Sequence, residues 1–67
     1  MKVMLVKNQG KTRTEYLFEK KNGKNVINHR STRGRSLLFD RTMEVEAEFG
    51  NNLYKKLLNQ GYTRFTI

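Results

Sequence analysis

The sequence predicts an α+β domain: a small, mainly antiparallel β-sheet with one C-terminal helix packed on one face and a short last strand. Three observations support this class. Alternating and β-branched segments fill the first half of the chain, an Asn-Gly pair at 22–23 marks a hairpin, and residues 52–60 have a helical pattern that ends at a glycine. Because the chain has 67 residues and no cysteine, we expect a single domain, 1–67, with a small core and no disulfide.

Residues 2–31 predict a three-stranded antiparallel meander. The segments, in order, are the strand KVMLVK, a turn at NQGK, the strand TRTEYLFEKK, a turn at KNGK and the strand KNVINHR. Asn22-Gly23 is the strongest local signal, because both central residues of a type I′ turn need positive φ and Asn-Gly is the preferred pair there.

The segment MEVEAEF (43–49) fits two structures. Its strict alternation predicts an amphipathic strand, whereas its Met, Glu and Ala content and a possible N-cap at Asp40 favour a helix. One alternative is a strand at 42–49 followed by a helix at 52–60, and the other is a single bent helix at 41–60. The single helix would place Gly50 in its interior at a cost of about 1 kcal/mol.

Both alternatives place a helix in NLYKKLLNQG and a last strand in YTRFTI. Three leucines should face the core and two lysines the solvent: Leu53, Leu57 and Leu58 inward, Lys55 and Lys56 outward. Gly61 is suited to the left-handed residue that ends many helices. The β-branched and aromatic residues of YTRFTI favour a sheet edge.

Charge is distributed unevenly along the chain. Residues 1–36 contain ten Lys and Arg against two Glu, a net of +8, whereas residues 37–67 contain four of each sign. Such a concentration of basic charge is typical of proteins that meet phosphate backbones, although it can also serve solubility alone. We therefore predict a small regulatory protein that binds nucleic acid, DNA or RNA, largely through phosphate contacts.

The segment INHRSTRGRS (27–36) is the predicted centre of that contact. Arginine forks match phosphate oxygens, and Gly34 can adopt positive φ and expose its N–H to an anion. We expect this segment to be an exposed polar loop. Together with the lysines at the tip of the predicted Asn-Gly hairpin, it should form one continuous positive strip. The predicted nucleic-acid-binding residues are Lys20, Lys21, Lys24, Arg30, Arg33, Gly34 and Arg35. Tyr16 and Phe18 could stack on unpaired bases, or could serve the core, as most of the seven aromatic residues must.

Catalysis and metal binding are not predicted. A metal-independent ribonuclease could combine His29, Glu19 and Arg33 or Arg35, because neighbouring cations should keep His29 neutral, as a general base requires. One histidine in a hairpin is, however, more often a structural or phosphate-contacting side chain, and no catalytic partner for it is evident. We therefore predict no catalytic residue. The carboxylates of Glu44, Glu46 and Glu48 are interpreted as a solvated face rather than a metal site, so no cofactor is expected.

Parts of the sequence resemble WGR-type domains, which pair an antiparallel sheet with a helix and contact DNA. The resemblance spans residues 2–63 and depends on Arg-Gly-Arg after the hairpin strand, Phe-Asp at 39–40 and the closing LYKKLLNQGYT. Gly34 and Arg35 match the family's Trp-Gly-Arg motif with Arg33 in place of the tryptophan, and Lys56, Gly61 and Tyr62 match the closing segment. The resemblance implies nucleic-acid binding through Arg33 and Arg35.

Two other interpretations belong to different classes. The protein could be a small inhibitor or adaptor that binds an acidic surface of a partner protein, with its exposed sheet edge adding to a partner sheet. It could also be a subunit completed by homodimerisation. The longest apolar runs, at 3–6 and 37–39, are far shorter than the roughly 20 residues that span a bilayer. We expect a cytoplasmic protein with no signal peptide and no membrane contact.

Overall fold

The computed structural model describes residues 2–66 as five strands and one helix. Their bounds are β1 Lys2–Gln9, β2 Thr12–Lys21, β3 Lys24–Arg33, β4 Ser36–Val45, α1 Ala47–Asn59 and β5 Thr63–Thr66. The strands form one antiparallel sheet in the order β4-β3-β2-β1-β5, in which β5 returns to pair with β1. The predicted α+β class, the meander and the last strand are confirmed.

Tight two-residue turns join the first four strands. Asn22 and Gly23 both have positive φ, +51° and +78°, which confirms the expected type I′ turn between β2 and β3. The turns Gly10–Lys11 and Gly34–Arg35 have positive φ only at the glycine, the pattern of type II′ turns. The sequence predicted an exposed polar loop around Gly34, and this prediction is wrong: the segment is the tip of a third hairpin, between β3 and β4.

The chain from Ser36 to Asn59 is a long strand followed directly by a helix. β4 ends at Val45 and α1 begins at Ala47, so the single helix over 41–60 is wrong. The alternative of a strand followed by a helix has the right order, although α1 begins earlier than expected. Asp40 is not a helix cap, because it lies within β4, where its Oδ1 atom accepts a hydrogen bond from the Asn28 side chain at 2.7 Å.

Gly50 lies within α1 because the helix passes very close to β3 at this point. A Cβ atom on Gly50 would lie 2.9 Å from Cγ and 3.1 Å from Cβ of Asn25, so only glycine fits without a shift. Asn25 is itself buried, and its amide donates to the carbonyl of Ala47 at 3.4 Å. This close approach offsets the poor helix propensity of glycine that argued against a helix across residue 50.

α1 ends at Asn59, and Gly61 follows the C-cap Gln60 as the left-handed residue, as predicted. Gly61 has a φ of +92°, its N–H donates to the carbonyl of Leu58, and the N–H of Tyr62 donates to the carbonyl of Leu57. These bonds form a Schellman motif. Leu57 is 3% exposed and enters the core as predicted, whereas Leu58 is 39% exposed. The prediction for Leu58 is wrong because successive helical residues point about 100° apart.

The core lies between α1 and one face of the sheet, which we call the covered face; the other is the open face. Leu5 of β1 and Ile27 of β3 are fully buried on the covered face. Phe18 of β2 pairs in register with Ile27 and packs edge-on against Tyr54 of α1, with ring centroids 5.8 Å apart. Since side chains alternate along a strand, these positions assign every strand residue to a face.

Candidate nucleic-acid interface

The turns Gly10–Lys11 and Gly34–Arg35 lie side by side at one end of the sheet. Thr12, the first residue of β2, pairs with Arg33, the last residue of β3. Next to this pair, the N–H of Gly34 donates to the carbonyl of Lys11 at 3.2 Å. The positive φ expected at Gly34 is present, but the expectation that its N–H would be free for an anion is wrong. This backbone hydrogen bond joins the two turns, so the Gly34 N–H is occupied and only side chains could contact an anion there.

Most of the excess charge belongs to the half of the sheet that carries these two turns. We define this basic half as the row Leu5, Tyr16, His29 and Arg41 with everything between that row and the turns. It contains eight basic residues, namely Lys7, Lys11, Arg13, Arg30, Arg33, Arg35, Arg41 and Arg64. Against them stand two carboxylates, Glu15 and Asp40, so the basic half holds +6 of the formal +8.

Three of these cations lie at the turns without an acidic partner. Within residues 2–66, no carboxylate oxygen lies within 4.0 Å of a side-chain nitrogen of Lys11, Arg33 or Arg35, and all three residues are exposed. Arg13 differs, because it pairs with Glu15 at 3.4 Å. The turn cations are therefore available to an external anion.

The continuous positive strip expected from the sequence does not form. Lys20, Lys21 and Lys24 surround the Asn-Gly turn at the opposite end of the sheet, about 30 Å from Arg33 along ten-residue strands. Acidic residues lie among them, and Lys24 pairs with Glu44 at 3.4 Å. The two basic clusters are therefore separate surfaces, because a β-hairpin places residues near its turn far from those near its open ends.

Arg30 is separated from the turn cations in a different way. It lies in β3 with its side chain on the open face, where Glu15 of β2 and Asp40 of β4 are its register partners. Arg33, three residues later, has the opposite orientation because side chains alternate. Arg30 therefore belongs to the basic half but not to the edge formed by the turns.

Tyr16 and Phe18 pack within the protein. Both lie on the covered face, where Tyr16 stacks on His29 with ring centroids 4.0 Å apart and an interplanar angle of 12°. Tyr62 packs edge-on against Tyr16, with ring centroids 5.6 Å apart. Burial, and secondarily the nearby Tyr62 hydroxyl, raises the pKa of Tyr16. This arrangement favours the core interpretation of both residues over base stacking.

His29 is held in an aromatic environment. Phe39 of β4 lies edge-on to it at 4.6 Å, opposite the stacked Tyr16. Burial, with a smaller contribution from Arg41, lowers the pKa of His29, so the neutral imidazole is favoured as the sequence predicted. Glu19 lies on the open face and His29 on the covered face, so the fold does not bring together the two residues of the ribonuclease alternative.

Lys11 is the residue of the candidate interface that sequence reasoning missed. The signal was present in NQGK, because in an antiparallel meander the first and third turns lie at the same end of the sheet, and Arg-Gly-Arg forms the third turn.

Among residues 2–66, no three His, Asp or Glu side chains are grouped so that they could hold a metal ion. No helix in that part of the chain has the length and apolar character needed to cross a membrane.

Comparison with known proteins adds no relative to these observations. No protein-family model, curated protein or solved structure matches the chain. The resemblance to WGR-type domains therefore remains a prediction from the sequence.

Proposed function

We propose that the protein binds nucleic acid, DNA or RNA, through phosphate contacts made by the paired turns of the basic half. One observation carries the proposal: Lys11, Arg33 and Arg35 are gathered on two adjoining turns, with no carboxylate within ion-pair distance among residues 2–66. Surface charge that only maintained solubility would not need to be concentrated in this way.

The chemistry of the three side chains suits phosphate. A guanidinium group can donate two parallel hydrogen bonds to phosphate oxygens, and a lysine ammonium contributes a compact positive charge. Each phosphate that is neutralised releases condensed counterions, which makes binding dependent on salt. Three contacts predict a slope of about −2.7 for log affinity against log salt, or a loss of about 40-fold between 50 and 200 mM.

The test is a titration of the protein into fluorescein-labelled 20-nucleotide single strands and 20-base-pair duplexes, followed by anisotropy at 50 and 200 mM salt. Binding with a slope of this size supports the proposal, and the stronger of the two probes identifies the preferred form. An absence of binding to either probe at 50 mM would overturn the proposal and favour the acidic protein surface as the partner.

A matched pair of variants tests the location of the interface. R33A/R35A and K20A/K21A each remove two positive charges, but at opposite ends of the sheet. We expect R33A/R35A to weaken binding at least about tenfold at 50 mM and to reduce the salt slope by about 1.8, whereas K20A/K21A stays within about threefold of the wild type. Equal losses in the two variants would show that net charge alone drives binding. Thermal unfolding followed by circular dichroism checks that both variants remain folded.

A further inference from the structure

Strand β4 forms a long unpaired edge of the sheet. Within residues 2–66 it pairs only with β3, so the outer side of all ten of its residues is without a partner strand. None of its side chains is buried, and Leu37 and Leu38 are 55% and 53% exposed. The other edge, β5, has only four residues. An unpaired edge of this length is a template for a further strand.

The charge along this edge changes sign from one end to the other. Arg33 and Arg35 surround the turn at which β4 begins, whereas Glu44, Glu46 and Glu48 lie where β4 ends and α1 starts. When two copies of β4 run antiparallel, the basic end of each copy lies beside the acidic end of the other. The edge is therefore complementary in charge to itself.

We propose that the protein forms a symmetric homodimer in which β4 pairs antiparallel with β4 of a second copy. A two-fold axis perpendicular to the sheet would join the two five-stranded sheets into one of ten strands. For a domain with so small a core, pairing with a second copy covers apolar surface that the monomer leaves in water.

The side chains favour the register centred on Arg41 over its two neighbours. A continuous sheet requires that paired residues lie on the same face, and registers centred on Asp40 or Thr42 place carboxylates opposite each other. The register centred on Arg41 pairs Phe39 with Met43, and Asp40 with Thr42, twice each by symmetry. Its only like pair is Arg41 with itself, on the axis, where two long side chains can point apart.

A β-bulge limits how far the regular pairing extends. Ser31 pairs with Phe39 and Thr32 with Leu37, so Leu38 is the extra residue of the bulge. Regular pairing therefore covers residues 39–43 of each copy. Beyond it, with Leu38 as the extra residue, Leu37 of one copy comes opposite Glu44 of the other, and Arg35 comes opposite Glu46 of the other.

The test measures self-association of the full chain by sedimentation equilibrium from 10 to 500 µM. Arg35 and Glu46 are both exposed, so R35E and E46K should leave the monomer folded. We expect each single variant to raise the dimer dissociation constant at least about tenfold, and the double variant R35E/E46K to return within about threefold of the wild type. K55E, on the outer side of α1, changes the net charge as R35E does and should have no effect.

Three results would overturn the proposal. The first is a wild-type protein that is monomeric at 500 µM in 50 mM salt. The second is a dimer that R35E and E46K do not weaken, which would place the interface elsewhere. The third is a double variant as weak as the singles, which would show that Arg35 and Glu46 do not meet across the interface. Circular dichroism spectra of all variants check that loss of association is not loss of folding.

Discussion

Replacing Gly50 by alanine should destabilise the protein, even though alanine is the better helix former. Helix propensity alone predicts a gain of about 1 kcal/mol in the free energy of unfolding. The new methyl group, however, would be built 2.9 Å from Cγ and 3.1 Å from Cβ of Asn25. Rotation of the Asn25 amide does not relieve the second contact, so either α1 or β3 must shift.

The two effects can be compared. Overpacking of this kind costs about 1 to 3 kcal/mol, which exceeds the propensity gain and predicts a net loss of about 1 kcal/mol for G50A. N25A should also lose about 1 kcal/mol, because the carbonyl of Ala47 loses its amide donor. In N25A the contact with Cγ is absent, whereas Cβ of residue 25 stays 3.1 Å from the new methyl group, so the alanine at 50 should regain only part of its propensity. The double variant N25A/G50A should therefore lose less stability than the two single variants added together, a coupling of about 1 kcal/mol.

Urea unfolding of the four proteins, followed by circular dichroism, measures this cycle, and thermal melts provide a second readout. For a domain of this size, 1 kcal/mol corresponds to about 4 to 8 °C in Tm. If G50A raised the Tm of the otherwise unchanged protein by several degrees, the close approach of α1 to β3 at this point would be refuted.

Two further predictions concern the core and its histidine. Burial, and to a smaller extent Arg41, lowers the pKa of His29 from 6.5, so the unfolded chain binds this proton at a higher pH than the folded protein does. The neutral ring therefore contributes its full stability above about pH 6.5, and this contribution is lost as the pH falls through the pKa of the folded state. The urea midpoint of the wild type should therefore be lower at pH 5.5 than at pH 7.5, and the decrease should be smaller for H29Q. An equal decrease in the two proteins would show that His29 is not its cause. L57A should cost about 2 to 5 kcal/mol and L58A less than about 1, since only Leu57 is buried; equal costs would contradict the orientation of α1.

The first half of the fold was predictable because its signals are local. Asn22-Gly23 specifies its turn through backbone φ values alone, and the alternation of β2 and β3 follows from that register. The boundary between β4 and α1 was not predictable from local signals. Gly50 opposes a helix by propensity, and what permits it there is contact with Asn25, a residue twenty-five positions earlier in the chain. Only the tertiary structure carries that information.

The candidate interface was half predictable for a similar reason. Arg33 and Arg35 were found because they adjoin in sequence, whereas Lys11 joins them only through the pairing of Thr12 with Arg33. Lys20, Lys21 and Lys24 were grouped with the arginines because net charge was counted along the chain. In space, a ten-residue hairpin separates them by its full length.

The hydrogen bond between Gly34 and Lys11 has a consequence for the cost of binding. A long flexible loop would lose conformational entropy when it closed around a polyanion, at about 1 to 2 kcal/mol for each residue that became ordered. Here the two turns are already tied to each other, and their midpoints are two strand spacings apart, about 10 Å. That distance equals the rise of about three base pairs measured along the axis of a DNA duplex. In the proposed complex, the two turns would therefore present their cations at a fixed spacing, and a polyanion with a different charge spacing should gain less from them.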